Sequence, residues 1–110
     1  MLRGEDLLPG PRRADIQTAI GLLQALVTVS PTLERESLLG SAYKRLHRLE
    51  QVAGHTGAAA QAVQQMATHY RQAETLARAA GSPDWFYPAL NRLAAELLAH
   101  AGTAGWSGFG

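Results

Sequence analysis

The chain contains no cysteine. Disulfides, thiolate metal sites and thiol chemistry are therefore excluded, while the compartment stays open. Charge is also scarce: Asp, Glu, Lys and Arg make up 17% of the residues, against about 25% in an ordinary soluble domain. A small domain with so few charges has more apolar surface than it can hide, as expected of a piece that sits against something else. Neither sign dominates. The net charge is +1 with histidine neutral, so the basic footprint of a nucleic-acid binder is missing. Lysine is nearly absent, Lys44 being the lone example among ten basic residues, and this carries no mechanism. No apolar run approaches the roughly 18 residues of a membrane span. The opening MLRGEDLLPGPRRAD lacks the apolar core of roughly 7–15 residues that marks a signal peptide. Cytoplasm is the expected location, with no membrane contact.

What is present is helical periodicity. The 110 residues suit one compact domain. Residues 1–14, with Gly4, Pro9, Gly10 and Pro11, read as a flexible leader. Asp15 is a fair N-cap. Ile16, Ile20, Leu23 and Val27, with Ala19, Leu22 and Leu26 beside them, then fall at the three-and-four spacing of an amphipathic helix. This helix ends near Val29, because Ser30 precedes Pro31 and pre-proline residues avoid helical angles. Ser30-Pro31 opens a second helix, proline being favoured in a first turn. Glu34 and Glu36 suit its positive end, and its apolar set is Leu39, Ala42, Tyr43, Leu46, Leu49 and Val52 or Ala53. Gly54 and Gly57 bracket a turn.

A third helix covers 58–80. Its seam of Ala59, Val63, Met66, Tyr70, Ala73, Ala77 and Ala80 is rich in small residues, which allow close approach. Gly81 suits the position just past its end. Ser82-Pro83-Asp84 opens a fourth helix whose apolar face is Phe86, Leu90, Leu93, Leu97 and Leu98. Gly102 ends it, and 102–110 form a glycine-rich tail in which Trp106 and Phe109 either dock back on the domain or are incidental. No segment alternates as a strand does. The expected fold is all-α, four antiparallel helices over 15–101.

Gly40 is the informative exception. It lies inside a helix, where glycine costs about 1 kcal/mol relative to alanine, and it marks a spot where a neighbouring helix comes close enough for two backbones nearly to touch. The pattern Leu39-Gly40-x-x-Tyr43 resembles the first helix of a tetratricopeptide repeat. Ala19, Leu23 and Pro31 resemble the second helix of a preceding repeat, and Tyr70 with Ala73 resembles another second helix. Tyr87, Leu90, Asn91 and Ala94 resemble a further first helix, with Asn91 where a small residue is usual. The likeness gives Leu39, Gly40, Tyr43, Tyr70, Ala73, Leu90 and Asn91 structural roles. The order second, first, second, first resembles a segment of a longer array, and unpaired ends of such an array expose apolar surface. Two departures stand out. Leu39 and Leu90 are 51 residues apart, against a family period of about 34, so the second and third helices are long or an extra turn lies near GHTGAAA. The early aromatic of the first helix is missing, Glu36 standing in its region. The stretches ERESLLGSAYKRL and FYPALNRLA also resemble helical-repeat segments of large bacterial proteins that carry a CHAT-type caspase-like protease.

The resemblance implies a non-catalytic module that binds a peptide, or the rest of a parent protein, through a helical groove. The alternative is a structural domain that homodimerises through its alanine-rich seam and exposed end. The likeness places Ser37, Ser41, Lys44 and Arg45 toward the concave side, with Trp85, Arg92 and Glu96 from the fourth helix. A carboxylate clamp is not expected, because Ser37 and Ser41 stand where lysine and asparagine would be needed. The plain reading of Lys44, Arg45, His47 and Arg48 is a solvated face, and that of Trp85 and its aromatic neighbours is a helix-entry staple. Among His47, His55, His69 and His100 no pair has the i, i+4 spacing of a zinc site, and each reads as a surface residue. No nucleophile elbow, phosphate loop or catalytic set is present, so no catalytic, cofactor or metal residue is assigned.

Overall fold

The computed structural model describes residues 12–104. It comprises α1 (Arg13–Val29), α2 (Leu33–Val52), α3 (Thr56–Ala79) and α4 (Phe86–Ala104), the last entered through a 3-10 turn at Pro83–Trp85. No strand occurs among the described residues. Most of the expected leader (residues 1–11) and the tail from 105 on, with Trp106 and Phe109, lie outside them.

Helix boundaries follow from local chemistry, with several corrections. α1 starts at Arg13 and has no side-chain cap, so Asp15 sits in its first turn rather than capping it. An acid there still favours the positive helix end. At the other end Ser30 is extended, as a pre-proline residue must be, and the Arg35 guanidinium donates to the Ser30 carbonyl at 2.8 Å. The cap of α2 is Thr32 rather than Ser30: its hydroxyl accepts from the Arg35 amide at 3.1 Å. Two glycines close helices with positive φ, Gly54 at 82° and Gly81 at 66°. In each case the amide after the glycine reaches back five residues, His55 to the Glu50 carbonyl and Ser82 to that of Ala77, both at 2.9 Å, which satisfies carbonyls the helix leaves open. Gly57 lies inside α3, which begins at Thr56, and Gly102 lies inside α4. Ser82 caps the fourth segment as expected, accepting from the Asp84 amide. The long spacing between Leu39 and Leu90 comes from helix length, 20 residues in α2 and 24 in α3, and not from an inserted turn.

The helices pack in chain order, each mainly against the next. Ile16, Ile20, Leu23 and Val27 of α1 meet Leu39, Ala42, Leu46 and Leu49 of α2. The seam of α3 is buried as expected except for Ala80, which caps the helix. The corner of the core is Tyr70, 1% exposed. Its ring lies against Gly40: a Cβ on Gly40 would stand 2.9 Å from two ring carbons. The close approach read from Gly40 is thus real, but what fills it is an aromatic side chain and not a second backbone. The Tyr70 hydroxyl goes on to Ser41 Oγ at 2.7 Å, and its ring meets Tyr87 of α4 edge-on at 6.3 Å.

Two expectations fail in the packing. Glu36 is not a surface dipole residue. It is 1% exposed, accepting a hydrogen bond from His69 Nδ1 at 3.1 Å and, with the Gln72 amide turned to satisfy both groups, facing the Gln72 amide nitrogen with both carboxylate oxygens. His69 therefore belongs to the interior: it stacks on Tyr43 with ring planes 2° apart, and it is not the surface residue expected. Likewise, the face α4 turns to α3 is not its leucine face. Pro88, Ala89 and Ala95 are buried, while Phe86, Leu90, Leu93, Leu97 and Leu98 are all exposed. Leu90 is 62% exposed, so it lies outside the core of the described residues, and Asn91 bonds the Tyr87 carbonyl of its own helix.

Candidate partner-binding site

Tyr70 fixes the distance between α2 and α3, and α1 lies against the opposite flank of α2. Between α1 and α2 the surface opens into a cleft of about 390 Å³ lined by Asp15, Ile16, Ala19, Leu38, Ser41, Ala42 and Arg45. Its floor is aliphatic, and its charged lining is one carboxylate and one guanidinium. The cleft exists because α2 has a third stripe. Leu39 and Ala42 turn to α1 and Gly40 and Tyr43 to α3, which leaves Leu38, Ser41 and Arg45 on the face between them and solvent. Leu38 is 56% exposed, a leucine presented rather than packed. An apolar concavity with polar groups at its edge is the usual form of a binding site.

The residues proposed from sequence divide between two places. Ser41 and Arg45 line the cleft, and Lys44 is exposed one position away. Trp85, Arg92 and Glu96 lie along the α3–α4 edge. There Arg92 donates to Glu74 at 2.8 Å and to Glu96 at 3.1 Å, Arg71 pairs with Glu96, and Arg78 pairs with Glu74. The Arg78 guanidinium also stands 3.9 Å over the Trp85 ring, a cation–π contact. Leu38 and Ala19 were missed as site residues because the cleft needs the relative placement of two helices, which no single-helix pattern contains. Among the described residues no cluster of His, Asp and Glu could hold a metal ion, and no helix is long and apolar enough to cross a membrane.

A second ion cluster joins α1 to the end of α2. Arg13 Nε donates to Glu50 at 2.8 Å, with a still closer contact from its terminal nitrogen, and His55 Nδ1 lies 3.3 Å from the same oxygen. Burial pushes the Glu50 carboxyl up, but hydrogen bonds from Arg13 and His55 outweigh it and hold the group below its usual value. Hydrogen bonding from Arg92 holds Glu74 low, and that from Arg71 holds Glu96 low. A carboxyl depressed in the folded state contributes stability that is complete above its unfolded value, 4.5, and is lost as pH falls through the folded one. The urea midpoint is therefore expected to fall as pH is lowered below 4.5, with Glu50→Gln flattening part of that fall. A midpoint that instead rose on acidification would contradict these pairings.

The arrangement of hairpins around a glycine–tyrosine contact agrees with a family comparison. A model described as Tetratricopeptide Repeats-Sensor matches residues 5–98. The chain belongs to this family. The match reaches from before α1 into α4, so it takes in α1 to α3 and most of α4, and such repeats serve protein–protein interaction in general. No curated protein and no solved structure matches the chain significantly.

Proposed function

We propose that this tetratricopeptide chain is a non-catalytic module of the cytoplasm that receives the apolar face of a partner protein's helix in the α1–α2 cleft. The observation that carries the proposal is Leu38, exposed over an aliphatic floor of Ile16, Ala19 and Ala42. Asp15 and Arg45 at the lining suit polar groups flanking such a helix, and Ser41 and Lys44 stand beside them. The balanced charge supports a protein partner over nucleic acid. The family's description as a sensor agrees with a module whose output is the capture of another molecule. Trp85, Arg92 and Glu96 form an edge that a large partner also touches.

A second reading, self-association, is favoured by the exposed leucines of α4. The alanine seam takes no part in it, since that seam is already buried against α2 and α4.

A photo-crosslinking side chain placed at Leu38, and separately at Trp85, tests the first reading in lysate of the source cells. A discrete protein adduct from position 38, lost with Ala19→Glu, supports the cleft. An adduct from position 85 alone moves the site to the α3–α4 edge and overturns it.

A further inference from the structure

Each inner helix carries two packed stripes, and in α2 the second is displaced by one residue from the first. In α2, Leu39, Ala42 and Leu46 face α1, while Gly40, Tyr43 and His47 meet α3 through Tyr70, His69 and the Ala59 carbonyl. In α3, His69 bonds α2, while Glu74, about 140° further around the helix, bonds α4. One residue is about 100° around a helix, so each helix sits in the angle made by its two neighbours. Among the described residues α1 and α4 each pack mainly on one neighbouring helix, yet they carry both stripes.

On α1 the packed stripe is Ile20, Leu23 and Val27. The stripe one residue back is Ala19, Leu22 and Leu26, continued by Val29, and its three large members are 65%, 46% and 83% exposed. Ala19 also lines the cleft, so stripe and cleft are one surface. On α4, Ala89 is buried and Arg92 and Glu96 bond α3. The stripe one residue on is Leu90, Leu93 and Leu97, preceded by Phe86, and these are 62%, 46%, 41% and 53% exposed. The exposed stripe of α1 lies on the side opposite in register to its α2 contact, and that of α4 on the side opposite in register to its α3 contact.

We propose that the α4 stripe of one copy docks on the α1 stripe and cleft of a second copy, head to tail. This deepens the cleft reading and rests on it, naming the occupant as another molecule of the same chain. Two observations favour a second copy over an unrelated protein. The two stripes are complementary in register, since α4 placed before α1 would restore the two-neighbour packing that α2 and α3 already have. They also match in area. Taking roughly 200 Å² for a fully exposed large apolar side chain, each stripe offers on the order of 400 Å². A stable interface of about 800 Å² per partner, a little over half of it apolar, needs about that much. The contact is heterologous, so it leaves one free stripe at each end and propagates.

Analytical ultracentrifugation of the whole chain and two variants tests this. Leu93→Glu blocks α4 and Leu38→Glu blocks the cleft. Both side chains are exposed, and circular dichroism checks that the helices persist. The wild type is expected to grow in mass beyond a dimer as concentration rises. Each variant alone is expected to associate about 100-fold more weakly or worse. An equimolar mixture is expected to form a one-to-one dimer and stop there, because it holds one intact α4 stripe and one intact cleft. A wild type that stays monomeric, a Leu93→Glu variant that still self-associates, or a mixture that stays monomeric each overturns the proposal. If the wild type is monomeric while the crosslinker at Leu38 still captures another protein, self-docking fails and the cleft reading stands. If neither occurs, both fail.

Discussion

Replacing Gly40 by valine is expected to lower the melting temperature by about 10 °C or more, a loss of about 3 kcal/mol. Helix propensity argues the other way, since any ordinary residue improves on glycine in a helix interior by up to about 1 kcal/mol. Packing decides the sign. A Cβ at position 40 would stand 2.9 Å from two carbons of the Tyr70 ring and 3.0 Å from a third. That ring cannot swing away, because it is buried and its hydroxyl is bonded to Ser41. Even alanine forces α2 and α3 apart, and the branches of valine enlarge the clash. Gly21 is the control. A Cβ there would meet nothing within 4 Å, so Gly21→Ala is expected to stabilise by about 0.5–1 kcal/mol. Thermal melts of the two variants should move in opposite directions. A Gly40→Val protein that melts with the wild type would mean that Tyr70 does not rest on the α2 backbone.

The second large effect is expected at His69. Changing it to leucine removes the imidazole partner of the buried Glu36 carboxylate and the ring stacked on Tyr43. Leaving one member of a buried pair uncompensated costs about 3 kcal/mol, with only the Gln72 amide left against the carboxylate. Glu36→Leu in the same background should recover most of that loss, because an apolar pair of similar size is close to neutral where an orphaned charge is not. The coupling read from a double-mutant cycle by urea denaturation is expected to be about 2 kcal/mol. Additive effects would place Glu36 in water rather than between α2 and α3.

The seam of α3 could be read from sequence because its small residues recur at three-and-four spacing on both packed sides at once, so neither neighbour had to be known. The same rule misplaced α4. Periodicity finds the side of a helix that avoids water, not the side on which a neighbour lies. Here α3 takes the side with Pro88, Ala89 and Ala95, tied by Arg92 and Glu96, and the leucines face outward. Glu36 was misread for another reason. An acid in a first turn has a ready explanation in the helix dipole, yet its spacing to Gly40, Tyr43 and His47 already set it on the stripe that α3 covers. That signal was present in the sequence. The cleft was not, since Ala19 and Leu38 come together only once Arg13–Glu50 and Arg35–Ser30 have aligned α1 with α2.

The chain-order layout sets how the molecule comes apart. Among the described residues α1 rests mainly on α2 and α4 mainly on α3, whereas α2 and α3 are each gripped from both sides. Neighbour-only packing makes stability a sum of local terms rather than one shared interior. Either outer rod can then peel off while the hairpin around Tyr70 endures, so amide exchange slows from the periphery toward the middle. The surfaces proposed to meet other molecules lie largely on the parts that loosen first.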